Sequence, residues 1–142
     1  MTDPEVGPIL EQALMRKQPP AVAYRFGQDI SAPRHARRQL RPLVGDGRLA
    51  EDVTLVSSEL VTNTLHHTDH GGELRVWTDH PLRLEVQDSS PALPSPRADS
   101  AVGGKGLGII EALCSKWGVT PIKSGKVMWA EFERPFDCGQ SG

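Results

Sequence analysis

Residues 57–70, SSELVTNTLHHTDH, place polar side chains inside a segment whose apolar residues have helical spacing. Residues of an α-helix advance by about 100° each, so one arc of a helix from about Leu49 to Thr68 collects its apolar side chains: Leu49, Val53, Val56 and Leu60. Glu59 and Asn63 lie one turn apart at the edge of this arc, and His67 lies inside it. Burying a polar group without a partner costs about 1–3 kcal/mol. The pattern therefore predicts a cleft that holds a ligand; a helix with a polar, half-exposed edge is the alternative.

The end of the same stretch, HHTDH, raises the alternative of a metal site. His66 and His70 share a helix face only if the helix continues as far as His70. The residues Asp69-His70-Gly71-Gly72 are instead typical of a helix end, where a histidine is favoured by the negative end of the helix dipole. We therefore interpret His66 and His70 as the polar end of a helix.

The composition predicts an ordinary globular domain. The chain has 142 residues, of which 37% are hydrophobic and 24% charged, and its net charge is −2. This balance argues against a dominant nucleic-acid surface. The two cysteines, Cys114 and Cys138, imply no disulfide framework. With no signal peptide and no apolar run long enough to cross a bilayer, the cytoplasm is the expected location.

Basic residues cluster in the segment 34–41. They are Arg34, His35, Arg37, Arg38 and Arg41. Such a cluster binds phosphate or an acidic protein, or it forms the solvated face of a helix, which is the more common case.

The order of the elements predicts an α+β two-layer sandwich. Residues 21–29 alternate as a strand, and residues 31–45 read as a helix that Pro42 bends or ends early. Two strands are predicted within 73–88, a long loop over 89–104, a helix over 106–118 that ends at Gly118, and strands at 119–123 and 126–133. Clustered hairpins indicate a mixed, mostly antiparallel sheet with one wet face and about three helices on the other.

The predicted domain covers residues 21–133. Residues 1–20 are expected to form a loosely ordered arm, and residues 134–142 a flexible tail.

Asp88 is a polar residue at a position that alternation directs inward. Leu82, Leu84 and Val86 predict the core-facing side of their strand, and Asp88 continues the same parity just before the long loop. A buried carboxylate needs a partner, and a ligand that offers hydrogen-bond donors, such as an exocyclic amine, would supply one. A turn-forming Asp that caps Ser89-Ser90 is the alternative.

The segment GGKGLG, residues 103–108, opens a predicted helix. Glycines let backbone N–H groups approach an anion closely, and a helix N-terminus adds favourable partial charge. The segment is not a Walker loop, since Gly106 stands where a Ser or Thr would follow Lys105. It is a poor dinucleotide fingerprint too, because no strand precedes it.

Together these motifs resemble those of a known superfamily. Glu-x-x-x-Asn on a helix, Asp-x-Ser-x-Pro after a strand and a Gly-x-Gly-x-Gly segment opening a helix resemble the Bergerat ATP-binding fold of the GHKL superfamily. The segments SSELVTNTLHHT, LEVQDSSPALP, GGKGLGIIEALCSKWGV and GKVMWAEF look most like those of small bacterial anti-sigma-factor serine kinases. The resemblance runs from about residue 21 to residue 133.

This resemblance implies roles for the helix and strand residues. Asn63 would coordinate Mg²⁺ through its amide oxygen. Glu59 would be the base that orients or deprotonates a serine hydroxyl attacking the γ-phosphate of ATP. Asp88 would accept a hydrogen bond from the adenine amine, and His67 would line the cleft near the phosphates.

The glycine-rich segment would bind the phosphates. The resemblance implies that its backbone N–H groups do so, assisted by the Lys105 side chain, at these positions: Gly104, Gly106, Leu107 and Gly108. Residues 89–104 would then form a short lid.

The resemblance also implies partners. The chain would phosphorylate an anti-anti-sigma factor of the STAS type, sequester a sigma factor, and form a homodimer. One departure concerns the motif Gly-x-Thr, whose hydroxyl supports adenine recognition: Gly125-Lys126-Val127 puts Val127 in the Thr position. A non-catalytic regulatory module that acts by protein contact alone, with nucleotide held or lost, is therefore the alternative function.

Overall fold

The computed structural model describes residues 18–68, 70–89 and 104–133, with residues 104–106 described by their backbone alone. The helices and strands are β1 (Val22–Phe26), α1 (Ala32–Val44), α2 (Arg48–His67), β2 (Gly72–Trp77), β3 (Leu82–Asp88), α3 (Gly104–Leu113), β4 (Lys116–Ile122) and β5 (Gly125–Phe132). Most of the predicted arm (1–20), the tail (134–142) and most of the predicted lid (89–104) lie outside the described residues.

The strands form one antiparallel sheet. Its order is β1-β2-β3-β5-β4, and each neighbouring pair is antiparallel. Helix α1 contacts β1 and α2, helix α2 contacts the three central strands, and α3 contacts α2 and β4. This arrangement confirms the predicted α+β two-layer sandwich, and all of the described strand pairs are antiparallel.

The core lies between the helices and the inner face of the sheet. The predicted apolar arc of α2 is buried, with Leu49 at 8% exposure and Val53, Val56 and Leu60 at 0%. From the sheet, alternate residues of β3 and β5 join the same cluster: Leu82, Leu84, Val86, Met128, Ala130 and Phe132. The parity of β3 that was inferred from the sequence is therefore confirmed.

The third helix is shorter than predicted. It ends at Leu113, and Gly118 lies inside β4 rather than at a helix end. A Cβ atom on Gly118 would lie 2.8 Å from the Trp129 ring, so the glycine accommodates the indole of the neighbouring strand. The prediction for Gly118 was wrong because the glycine serves this cross-strand contact.

Pro42 neither ends nor shortens α1 before Val44. Pro42 lies in the last turn of the helix. Its missing N–H therefore removes one backbone hydrogen bond near the helix end and leaves the preceding turns intact. The buried side of this helix is formed by Ala32, Ala36 and Leu40, while Arg34, Arg38 and Arg41 are exposed.

The outer face of the sheet holds a buried network of charges, where the sequence predicted a wet surface. Glu85 is fully buried, and Arg83 donates from Nε to Glu85 Oε2 at 2.8 Å and from Nη1 to Glu131 Oε2. The Arg83 guanidinium also lies 4.6 Å from the Trp129 ring centroid, and Arg75 Nη1 lies 3.6 Å from Glu85 Oε1. Mutual pairing and the Trp129 ring thus remove Arg83 and Glu85 from water, although their parity is that of the outer face.

The chain is anchored to the sheet just before β1. The Trp77 indole donates from Nε1 to the carbonyl oxygen of Gln18 at 2.9 Å. Trp77 ends β2, so this contact lies at the end of the sheet remote from Gly72 and Asp88, which pair with each other.

None of the helices within the described parts of the chain has the length and the apolar content needed to cross a lipid bilayer.

Candidate nucleotide site

Helix α2 carries the two principal candidate residues on one edge. Asn63 is 4% exposed, and its Oδ1 atom has no hydrogen-bond partner among the described residues. Glu59, one turn earlier, is half-buried. A buried amide oxygen without a partner costs free energy of about 1–3 kcal/mol, which a bound cation would offset. The buried Oδ1 of Asn63 is therefore suited to bind a cation.

Glu59 is a stronger base than an exposed glutamate. Burial raises the pKa of Glu59, and the charges of Arg37 and His66 offset only part of this rise. Loss of water around the carboxylate favours its neutral form, and a raised pKa brings a carboxylate closer to what a general base at neutral pH requires.

The histidines mark the end of α2, as predicted. The helix ends at His67, and the Thr68 N–H donates to Thr64 O at 3.0 Å. His67 is half-buried on the same helix edge as Asn63, whereas His66 and His70 are exposed. Among the described residues, which omit Asp69, no three His, Cys, Asp or Glu side chains cluster as a metal site would require.

The glycine-rich segment begins α3 rather than preceding it. Helix α3 starts at Gly104, so Gly104, Lys105 and Gly106 form its first turn, where N–H groups have no partner within the helix. Leu107 is 4% exposed and belongs to the same core cluster as Leu60 of α2. Packing of Leu107 thus fixes the start of α3 relative to α2, and a Cβ on Gly108 would meet no atom within 4 Å. The side chain of Lys105 lies outside the described part of the chain.

Asp88 is buried on the helix-covered side, as predicted, but its partner comes from the protein. Lys126 is the cross-strand neighbour of Asp88, and its Nζ hydrogen-bonds Oδ1 at 3.1 Å and lies 3.0 Å from Oδ2. Both side chains are 1% exposed. Asp88 is the last residue of β3 and forms this buried ion pair. The alternative of an Asp that caps Ser89-Ser90 involves Ser90, which lies outside the described residues.

The register of β5 corrects the position assigned to Val127. Val127 pairs with Gln87, so alternation directs its side chain to the outer face, away from the helices. Lys126 has the parity of Met128, Ala130 and Phe132, which all belong to the core. Lys126, not Val127, is therefore the residue beside Asp88.

Gly125 allows β5 to approach β3 closely beside Asp88. A Cβ atom there would lie 1.9 Å from the carbonyl oxygen of Asp88 and 2.6 Å from Ser89 Cα. Only a glycine permits this close approach, which places Lys126 directly opposite Asp88.

A cleft of about 260 Å³ lies at the same end of the sheet. Asp88, Ser89, Gly71, Gly72 and Ser124 contribute to its lining. Glu59, Asn63 and His67 do not line it. The cleft is therefore not the predicted site beside α2.

The residues present fit the cation and phosphate end of a Mg²⁺–nucleotide complex and do not fit the base end. Asn63, with its buried and unpartnered oxygen, and the first turn of α3 suit a cation and phosphate groups. Asp88 does not suit an adenine amine as it stands, because the ammonium of Lys126 already occupies it.

Sequence reasoning missed Lys126. The lysine of the segment KVMWAEF shares its parity with Met128, Ala130 and Phe132, and only the packing of β5 shows that this side faces the core.

Solved structures show the same fold. The chain resembles the RsbU and RsbW domains of Rv1364c from Mycobacterium tuberculosis, with 23% identity, a TM-score of 0.58, and coverage of 82% of this chain and 32% of the other. It resembles a chain of the SiaB–SiaC complex from Pseudomonas aeruginosa, with 12% identity, a TM-score of 0.57, and coverage of 92% and 99%. A third similar structure is the histidine kinase domain of the Erythrobacter litoralis EL346 blue-light activated histidine kinase, with 18% identity, a TM-score of 0.50, and coverage of 78% and 62%.

These similarities confirm the predicted fold. The chain shares its α+β fold with the chain of the RsbU and RsbW domains and with the histidine kinase domain. It spans about a third of the RsbU–RsbW chain. No protein-family model and no curated protein sequence matches it.

Proposed function

We propose that this chain is an ATP-binding anti-sigma regulatory factor that phosphorylates a serine of a STAS-type anti-anti-sigma partner and sequesters a sigma factor. One observation carries the proposal: Glu59 and Asn63 lie one turn apart on α2, and the buried Oδ1 of Asn63 has no partner among the described residues. The fold shared with the RsbW domain and with a histidine kinase domain supports it.

Three side chains of α2 have different roles in phosphoryl transfer. Asn63 holds Mg²⁺ through Oδ1, and Glu59 accepts the proton of the serine hydroxyl or orients that hydroxyl. Mg²⁺ held there would supply charge neutralisation to the phosphates. His67 lines the phosphate end of the cleft. Because phosphoryl transfer depends mainly on positioning and charge neutralisation, one carboxylate and one cation suffice.

The start of α3 binds the phosphates. Backbone N–H groups of Gly104, Gly106, Leu107 and Gly108 donate to phosphate oxygens, and the partial positive charge of the helix N-terminus adds to the attraction. Lys105 supplements this charge.

Phosphoserine formation tests the proposal. The full chain is incubated with ATP, Mg²⁺ and each STAS-domain protein of the same organism, and phosphoserine is measured by mass spectrometry. Glu59→Gln is expected to lower the rate by about 100-fold or more while nucleotide affinity is retained, since general-base removal typically costs this much. Glu51→Gln, an exposed residue of the same helix, is the matched control and should retain activity. Unchanged transfer in Glu59→Gln would contradict the role of Glu59.

A second candidate function is a regulatory module that acts by protein contact alone. The ion pair between Lys126 and Asp88 favours it, because the carboxylate meant for the adenine amine is already engaged. Val127, on which the sequence argument for this alternative rested, lies on the other face. Calorimetric titration with ATP and Mg²⁺ tests the kinase against this module, since no detectable binding at millimolar nucleotide would contradict the kinase.

The proposed assembly is a homodimer that binds the sigma factor or the antagonist in turn. Size-exclusion chromatography with light scattering measures the mass of the chain alone and with each partner. A monomer under all conditions would contradict this part of the proposal.

A further inference from the structure

At the end of β3 and the start of β5, the ammonium group of a lysine lies beside a buried carboxylate. Asp88 and Lys126 are directly opposite residues of neighbouring strands, and Nζ lies 3.1 Å and 3.0 Å from the two carboxylate oxygens. Neither side chain is more than 1% exposed. The pair is thus fully desolvated, and its geometry is fixed by the close approach of Gly125 to the Asp88 carbonyl.

The ammonium group of Lys126 and an exocyclic amine are chemically alike toward Asp88. Both are hydrogen-bond donors, and both would approach the same two oxygens. A charged donor forms the stronger hydrogen bond, so a neutral amine does not displace it easily.

Moving the ammonium group of Lys126 away from Asp88 would also be energetically unfavourable. Its side chain would have to leave a position that is 1% exposed, and a buried charge separated from its partner is strongly unfavourable. The side chain of Lys126 cannot simply move to the outer face either, because that face is reached only by residues of the other parity, such as Val127.

We propose that Lys126 is a specificity-determining residue that occupies Asp88 in place of a base amine and so weakens, without abolishing, the binding of 6-aminopurine nucleotides. This inference rests on the proposed nucleotide site between α2, α3 and the sheet. It concerns only the base end of that site, and the cation and phosphate end at Asn63 and α3 is unaffected.

The test compares two nucleotides that differ at one position of the base. ATP carries an amine at position 6, and inosine triphosphate carries an oxygen there. Each is titrated with Mg²⁺ into the full chain by calorimetry, for the wild type, Lys126→Thr and Lys126→Met. The exposed residue Lys123, in the turn between β4 and β5, provides the matched control Lys123→Thr.

Lys126→Thr is expected to bind ATP roughly tenfold more tightly than the wild type, which is the effect of one recovered hydrogen bond to a charged group. Its affinity for inosine triphosphate should change by less than about threefold, because that base brings no amine to Asp88. Lys123→Thr should match the wild type with both nucleotides. Lys126→Met retains most of the side-chain volume and should show the same direction of change if Lys126→Thr does not fold, as judged by circular dichroism.

Two results would overturn the inference. One is that both Lys126 variants bind ATP no more tightly than the wild type, including no binding by any of them. The other is an equal gain for inosine triphosphate, which would mean that the amine is not what Lys126 excludes.

The proposed kinase function fails separately from this inference. A wild type that binds ATP and forms phosphoserine, with no gain in the Lys126 variants, retains the function and rejects the inference. A wild type that binds ATP weakly and forms no phosphoserine, with tighter ATP binding in Lys126→Thr, supports the inference and rejects ATP-dependent phosphorylation by the natural chain.

Discussion

Asn63 lies one turn beyond Glu59 on α2, and it is the more deeply buried of the two, at 4% exposure. The buried residue has an oxygen without a partner among the described residues, whereas the half-buried one has a raised pKa. The two residues therefore differ in how substitution should affect stability and ligand binding.

Asn63→Ala should separate ligand binding from stability. Because Oδ1 has no partner to lose among the described residues, the free energy of unfolding is expected to fall by less than about 1 kcal/mol. Mg²⁺-dependent nucleotide affinity should fall by about tenfold or more, since a direct ligand of the ion is removed. Urea unfolding and calorimetry measure the two effects. Thr62→Ala, on the same helix, is the control, and a large loss of stability without loss of binding would assign Asn63 a purely structural role.

Glu59→Gln should stabilise the fold at neutral pH. The pKa of Glu59 is raised in the folded state, so its contribution to stability is fully present below the ordinary glutamate pKa and is lost as the pH rises through the folded pKa. Replacing the carboxyl group of Glu59 by a neutral amide removes this loss of stability at high pH. The Tm of the variant should thus exceed that of the wild type at pH 7, and the difference should shrink toward about pH 4. The exposed Glu51→Gln should show no such gain, and an equal gain there would contradict the explanation.

Gly125→Ala should disturb the base end of the site and weaken the fold. An added Cβ would lie 1.9 Å from the Asp88 carbonyl oxygen, so β3 and β5 must separate there. Overpacking of this kind costs about 1–3 kcal/mol of unfolding free energy. Gly27→Ala, where a Cβ meets nothing within 4 Å, should change stability by no more than about 0.5 kcal/mol. Urea unfolding of both variants checks the difference.

Glu85→Ala should be among the most destabilising substitutions on the outer face of the sheet. It leaves the buried Arg83 without its 2.8 Å partner, and losing one member of a buried ion pair costs about 3–5 kcal/mol. Glu73→Ala removes a partly exposed partner of Arg75, 3.3 Å away, and should cost about 1 kcal/mol or less. Equal losses from the two substitutions would show that the Arg83–Glu85 pair is not stabilising.

The elements that could be predicted from sequence were those with one clearly apolar side. Helix α2 and strand β3 have such patterns, and the burial of Leu60 and Val86 follows them. Gly118 was misread because a glycine that follows an apolar segment resembles a helix end, whereas it lies inside β4 and accommodates the Trp129 ring. That ring comes from a neighbouring strand, and a pattern within one segment carries no information about it.

The candidate site could be predicted in part for the same reason. Glu59 and Asn63 follow from the periodicity of a single helix. The partner of Asp88 depends on the register between β3 and β5. In β5 both parities contain large apolar residues, Val127 and Trp129 on one side and Met128 and Phe132 on the other, so alternation did not reveal which side Lys126 shares.

The hydrogen bond from Trp77 to the Gln18 carbonyl has a practical consequence for attaching anything to this domain. Five residue steps of β2 separate Trp77 from Gly72, which is about 17 Å along a strand. A tag, a surface tether or a fused protein joined ahead of Gln18 therefore enters at the end of the sheet away from Asp88. Immobilised or fused forms of the chain should keep the nucleotide end open to solution.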